Sequence, residues 1–89
     1  MFAVTRFRAA DAAALTAAVP ALLAALRARP GFRDGEFGRS ADDPELWALV
    51  TRWDGVGAYR RALSAAEVKI TGAPVWVHAV DEPGVYVTD

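Results

Sequence analysis

The spacing of apolar residues predicts a strand, a long helix and a second strand in the first forty residues. Residues 2–8 are aromatic and partly β-branched over a short run, which is typical of a β-strand. From Asp11 onward the apolar positions follow a 3.6-residue period, which predicts a helix that Pro30-Gly31 ends. The apolar stripe of this helix consists of Leu15, Val19, Leu22, Leu23 and Leu26. The stripe continues unbroken past Pro20, which favours a kinked helix over two separate ones.

The middle of the chain predicts two strands joined by a turn. Residues 32–39 form a glycine-containing strand, in which Gly35 is the expected site of a bulge. Residues 40–44 have the composition of a turn. Residues 46–53 are the strongest strand in the sequence and present apolar side chains on both faces. We therefore expect this third strand to lie in the centre of the sheet.

The last third predicts a bent helix and two further strands. Asp54 can cap a helix that begins near Val56, and the sequence Ser64-Ala-Ala-Glu67 matches a capping box at which the helix bends or begins again. We expect this helix to run on toward Ile70 and to be broken by residues 71–74. Residues 75–80 are then predicted to be the fourth strand, and residues 85–88 a short terminal strand.

The predicted order of elements is β-α-β-β-α-β with a short extension, which defines a ferredoxin-like α+β sandwich with an antiparallel sheet. Two helices cover only one face of the sheet, whereas the third and fourth strands are apolar on both faces. We therefore predict a homodimer in which two sheets pack against each other. The terminal strand is expected to cross to the partner sheet and protect an edge there.

Composition limits the classes of function. The 89 residues suit a single domain spanning residues 1–89, and 54% apolar against 24% charged residues exclude disorder. A formal charge of -1, from acidic and basic residues mixed along the chain, gives no basic patch for nucleic acid and no sign of membrane-surface binding. The uncharged run 12–26 is too short and too rich in alanine to span a membrane, and the strand before it argues against a signal peptide. The absence of cysteine fits a cytoplasmic protein.

Several of these segments together resemble the antibiotic biosynthesis monooxygenase family, whose small members form dimeric α+β barrels. The resemblance rests on Pro30-Gly31-Phe32 after the long helix, on a strong third strand ending in Trp53, and on Ala58, Tyr59 and Leu63 in the helix that follows. It implies cofactor-independent oxygenation, in which a phenolic or quinol-type substrate loses a proton and then itself reduces dioxygen. The family often places a histidine nine or ten residues after the tryptophan, where this chain has alanine and leucine. That departure argues against haem breakdown.

Two side chains are candidate catalytic residues for such chemistry. His78 is the single side chain whose ordinary pKa lies near neutrality, so it is the candidate general base. The alternative is a structural histidine held by hydrogen bonds. Tyr59 is a candidate donor to a substrate phenol, and it also suits packing at the rim of a pocket.

A flat aromatic substrate requires an apolar slot, for which the sequence offers Trp47, Trp53 and Trp76 as candidate binding residues. Their alternative role is packing in the core or at the dimer interface. Arg52 is flanked by apolar residues, so it either binds a ligand oxygen or pairs with a carboxylate such as Glu36.

One histidine and no cysteine predict no metal site, and the resemblance implies no cofactor. The predicted function is thus a monooxygenase acting on a quinol-type or polycyclic aromatic molecule. Two alternatives stay open. One is a dimer that binds a small molecule or serves a stress response without catalysis. The other is a lyase, isomerase or cyclase for an aromatic or lactone substrate.

Overall fold

One antiparallel sheet and one layer of helices make up residues 1–88, the part of the chain that the structure, a computed structural model, describes. The elements follow the chain as β1 (Phe2–Arg8), α1 (Ala13–Arg27), β2 (Phe32–Arg39), β3 (Leu46–Trp53), α2 (Val56–Ser64), α3 (Ala66–Trp76) and β4 (Val85–Tyr86). The bounds of β1, β2 and β3 are those predicted from the sequence. The ferredoxin-like α+β class is confirmed.

The sheet is open, with the strand order β2-β3-β1-β4. β3 therefore lies between two neighbours, as its apolar faces predicted. Val4 of β1 is opposite Val50 of β3, and Thr5 is opposite Leu49. Because side chains alternate along a strand, Thr5 and Leu49 point toward the helices, whereas Val4 and Val50 point to the other face. The bulge in β2 lies between Phe32 and Asp34, and the prediction that it is at Gly35 is wrong.

The core lies between the sheet and the helices. Phe7 of β1 and Leu15, Leu22 and Leu26 of α1 are almost completely buried there. α1 continues through Pro20, whose side chain is exposed. The apolar stripe of α1 thus faces the sheet along the whole helix, and packing of that stripe outweighs the backbone hydrogen bond that the proline removes.

The last helix is longer than predicted. Residues 75–80 do not form a strand, because α3 runs on to Trp76 and buries Val68, Gly72 and Val75 at helical spacing. Pro74 is inside α3 but exposed, and it does not end the helix. The predicted break in the helix is confirmed at Ala65, yet the capping box does not form, since the Ser64 hydroxyl donates to the Arg61 carbonyl.

The fourth strand is formed instead by the segment that was expected to cross to a partner. Val85 and Tyr86 pair with Ala3 and Phe2 of the same chain, and the rings of Tyr86 and Phe2 stack 5.2 Å apart. A close backbone approach precedes this pairing. A Cβ atom at Gly84 would lie 2.5 Å from the Val4 carbonyl oxygen, so only glycine fits beside β1 at this point.

Candidate functional site

A cavity of about 470 Å³ opens between the sheet and the two later helices. Its walls come from three elements: β1 contributes one side chain, α2 two and α3 three. They are Thr5, Tyr59, Leu63, Lys69, Ala73 and Trp76. A smaller hollow of about 280 Å³ shares the first three of these residues and extends toward β4. Cavities of this size bind small organic molecules in other proteins.

The helical periods explain why these residues meet. Lys69, Ala73 and Trp76 are spaced four and three residues apart, which puts them on one face of α3. Tyr59 and Leu63 are four residues apart on α2. These two faces and the helix-facing side of β1 converge on the cavity.

Trp76 forms an aromatic wall of the cavity. Its indole lies nearly parallel to the buried Phe7 ring, with centroids 6.2 Å apart. The indole also crosses its own helix at Gly72, where an added Cβ atom would overlap the indole nitrogen and lie 3.0 Å from Cε2. Gly72 therefore permits the position that Trp76 adopts.

Tyr59 supplies a hydroxyl group to the cavity. Its ring packs against Trp53, with centroids 5.6 Å apart, and it is partly buried. Burial raises the pKa of the Tyr59 phenol above its ordinary value, so the group is protonated at neutral pH. No hydrogen-bond partner for this hydroxyl occurs among residues 1–88. Tyr59 is thus a donor that can meet an oxygen atom of a ligand.

Lys69, the single lysine of the chain, is the charged residue among the cavity walls. The sequence analysis did not single it out as a candidate site residue. The helical spacing of Lys69, Ala73 and Trp76 could have placed these three residues on one face. It was not used, because the helix was predicted to end near Ile70.

Trp53 lies behind the cavity wall and does not line it. Its side chain is 1% exposed, and its indole nitrogen donates to the buried Thr51 hydroxyl at 2.9 Å. The Phe32 ring meets it edge-on at 5.2 Å. Trp53 therefore fixes the position of Tyr59 from behind.

Trp47 and Arg52 are placed away from the cavity. Trp47 stacks on Phe37 at 5.2 Å, near the edge of the sheet, beside a separate hollow of about 320 Å³. Arg52 lies on the sheet face opposite the helices, where it donates to the Asp34 carboxylate at 3.1 Å. An ion pair for Arg52 was one of the two alternatives, although Glu36 was the partner named.

His78 follows α3 and lies in no strand. Its backbone N–H bonds to the Val75 carbonyl, and its own carbonyl accepts from the Arg8 backbone at 3.0 Å. It is not among the residues that line the cavity. The structure thus brings Tyr59 and Trp76 together, with Trp53 behind them, and leaves His78 outside. The role of His78 as a base stays a prediction.

Residues 1–88 contain neither a metal-binding cluster nor a membrane-spanning helix. No three histidine, cysteine, aspartate or glutamate side chains lie close enough together to hold a metal ion. None of the helices in this part of the chain has the length and apolar character needed to cross a membrane.

An open antiparallel sheet with all its helices on one face, and a mostly apolar cavity between the two layers, defines a ferredoxin-like domain with a candidate small-molecule site. The model of the antibiotic biosynthesis monooxygenase family matches residues 1–71. The chain belongs to this family. The match ends before Ala73 and Trp76, so these two residues of the cavity wall lie outside the matched range.

Solved structures share the fold at low sequence identity. A single-substitution variant of SnoaB, a cofactor-independent oxygenase from Streptomyces nogalater, superposes with a TM-score of 0.85 and is 20% identical. The alignment covers 98% of this chain and 90% of SnoaB. Rv0793 from Mycobacterium tuberculosis is 24% identical with a TM-score of 0.73, over 94% of this chain and 86% of its own. A search of curated proteins found no match.

Proposed function

We propose that the protein is a homodimeric, cofactor-independent monooxygenase that oxidises a quinol-type or polycyclic aromatic molecule with dioxygen. The observation that carries the proposal is the cavity between the helices and the sheet, which Trp76 and Tyr59 line. Membership of the family and the likeness to SnoaB, described as a cofactor-independent oxygenase, support the same reaction type.

The reaction requires little of the protein beyond binding the substrate and stabilising the negative charge of its anion. An aromatic substrate with an acidic CH2 group loses a proton, and the anion transfers one electron to dioxygen. The two radicals join at the deprotonated carbon as a peroxide anion, which takes up a proton from solvent and then loses water to leave a carbonyl group. One oxygen atom thus enters the product and the other leaves as water. Tyr59 would donate a hydrogen bond to the oxygen on which the negative charge of the anion collects.

Oxygen consumption tests the oxygenase activity. We expect hydroquinones or anthrones from a panel to cause uptake above the buffer blank, and Tyr59→Phe to lower the rate about tenfold to a hundredfold. Leu63→Ala, which changes the cavity wall without removing a donor, is the control for altered shape. Uptake equal to the blank across the panel, together with ligand-induced thermal stabilisation, would contradict the oxygenase proposal. For His78→Ala, an unchanged rate would remove its role as base.

The second candidate function is ligand binding without catalysis. It is favoured by the residues that line the cavity, because none of them is a histidine or an acidic residue that could accept a substrate proton. The same measurements separate the two functions, because a binding protein raises its melting temperature with ligand and consumes no oxygen.

The homodimer is proposed from the sheet face that the helices leave open. Phe2, Val4, Ala48 and Val50 form a partly buried apolar centre on this face. The arginines around them are paired within the chain, since Arg6 binds Glu82, Arg8 binds Asp43 and Arg52 binds Asp34. With these charges neutralised, a second copy can cover the apolar centre at a lower desolvation cost.

Light scattering tests the dimer. We expect twice the chain mass of 9.5 kDa at micromolar concentration. Val50→Asp should shift the mass to that of a monomer, because it places an unpaired charge in the apolar centre. Ala17→Asp, at an exposed position of α1, is the matched control and should leave the dimer intact. A monomeric wild-type protein would refute the proposal.

A further inference from the structure

The side chains that line the cavity include hydrogen-bond donors and one cation, and none of them is acidic. Its polar side chains are the Thr5 hydroxyl, the Tyr59 phenol and the Lys69 ammonium group. The remaining walls are Leu63, Ala73 and Trp76, which are apolar or aromatic.

Four of the ten basic side chains form ion pairs within residues 1–88, and Lys69 is not one of them. Four arginines, at positions 6, 8, 33 and 52, bind carboxylates within 3.1 Å. Among residues 1–88, Lys69 has no carboxylate within ion-pair distance. Its ammonium group is therefore available to a ligand. No acidic side chain lines this cavity to compete for it.

The two donors approach the cavity from different helices. Lys69 is on α3 and Tyr59 is on α2, so donor-bearing side chains lie on two of the elements that line the cavity. A carbonyl oxygen can accept such hydrogen bonds, but an oxyanion gains more, because hydrogen bonds to a charged acceptor are about twice as strong. The Trp76 indole provides a flat surface for an aromatic ring beside these donors.

From this arrangement we propose that Lys69 makes the cavity selective for aromatic ligands that carry an acidic hydroxyl group, which bind as their oxyanions. The inference rests on the proposed use of the cavity for an aromatic molecule but not on its oxidation. Lys69 is a specificity-determining residue in this account, and Tyr59 is the neutral donor that assists it.

The test compares two flat naphthoquinones that differ in charge: lawsone, an acidic hydroxynaphthoquinone that is anionic at neutral pH, and its neutral methyl ether. Calorimetry at low salt should show tighter binding of lawsone to the wild type. We expect Lys69→Met to weaken lawsone binding about five- to tenfold and to change binding of the ether by less than about twofold. Lys69→Arg should restore most of the affinity. Added salt should reduce the preference, because Lys69 is exposed.

Arg60→Gln is the matched control, because Arg60 is a second cation nearby that lines the adjoining hollow but not this cavity. It should leave the preference for lawsone unchanged. Loss of the preference in Arg60→Gln, or equal binding of the two probes to the wild type, would overturn the inference. Equal weakening of both probes in Lys69→Met would also overturn it. If neither probe binds the wild type, the proposed use of the cavity fails as well, whereas oxygen uptake has no influence on these outcomes.

Discussion

Replacing Gly72 with alanine is the sharpest available test of how α3 shapes the cavity. The added methyl group would overlap the Trp76 indole nitrogen and approach Cε2 to 3.0 Å. The helix backbone is fixed by the packing of Val68 and Val75, which are fully buried. The indole must therefore move. Because Phe7 lies behind the indole, the free space is on the side of the cavity.

Gly72→Ala has one stabilising and two destabilising effects on the folded state, and they are of similar size. Alanine in place of glycine inside a helix stabilises by about 1 kcal/mol. Loss of the stacking between Trp76 and Phe7 costs about 0.5–1.5 kcal/mol. A strained rotamer of the indole costs about another 0.5–1.5 kcal/mol. We thus expect Gly72→Ala to lower the free energy of unfolding by only about 0 to 2 kcal/mol.

Ligand binding should suffer much more than stability. An indole displaced into the cavity removes both its volume and the aromatic wall, so we expect the affinity for lawsone to fall at least about tenfold, which corresponds to 1.4 kcal/mol. Urea denaturation gives the stability and calorimetry gives the affinity of the same sample.

Gly57→Ala serves as the control, because it is also in a helix but its added methyl would meet only the flexible end of Arg61, at 3.1 Å. This control should stabilise by about 0.5–1 kcal/mol and leave binding unchanged. The reasoning fails if Gly72→Ala stabilises the protein to the same extent as the control and binds lawsone with wild-type affinity. That result would mean that the indole does not form the cavity wall.

Three further predictions concern stability. Thr51→Val leaves the buried Trp53 indole nitrogen without its acceptor and should cost about 1–3 kcal/mol in urea denaturation; a neutral result would show that this hydrogen bond contributes nothing. The Arg6 guanidinium lowers the pKa of Glu82, so this pair stabilises the fold above the unfolded carboxylate pKa of about 4.3 and loses its effect as pH falls through the lower folded value. Glu82→Gln should accordingly lower the melting temperature at neutral pH and not in strong acid, and a difference that persists in acid would exclude this cause. Pro20→Ala should stabilise by about 1–3 kcal/mol, because it restores a helical hydrogen bond at an exposed position; unchanged thermal stability would contradict this.

The first three strands could be predicted from the sequence because their signals are local. β3 has apolar side chains on both faces, and this property also predicted a central place in the sheet, where the structure puts it between β2 and β1. α1 was predicted from one stripe of leucines and a valine, and its path through Pro20 followed from the continuity of that stripe.

The segment after Ile70 could not be predicted in the same way, because tertiary contacts decide its structure. Gly72 and Pro74 are helix breakers by intrinsic preference, and the valines at 75 and 77 favour a strand. The structure nevertheless continues the helix, because Val68 and Val75 pack in the core beneath α1 and Gly72 admits the Trp76 ring. The packing of α3 against α1 is not visible in a window of neighbouring residues.

This difference in structure changes the chemistry that the candidate site offers. On a strand with a two-residue period, Trp76 would share its face with His78, which would pair an aromatic wall with a base. On a helix, Trp76 shares its face with Lys69 and Ala73, so the residue that accompanies the indole in the cavity wall is a cation. A cation and a neutral Tyr59 phenol stabilise an anion but accept no proton. Under the proposed function, the cavity suits aromatic molecules whose hydroxyl groups are acidic enough to ionise without a strong base from the protein. The rate of oxygen uptake across a substrate panel should then follow substrate acidity more closely than it responds to His78→Ala.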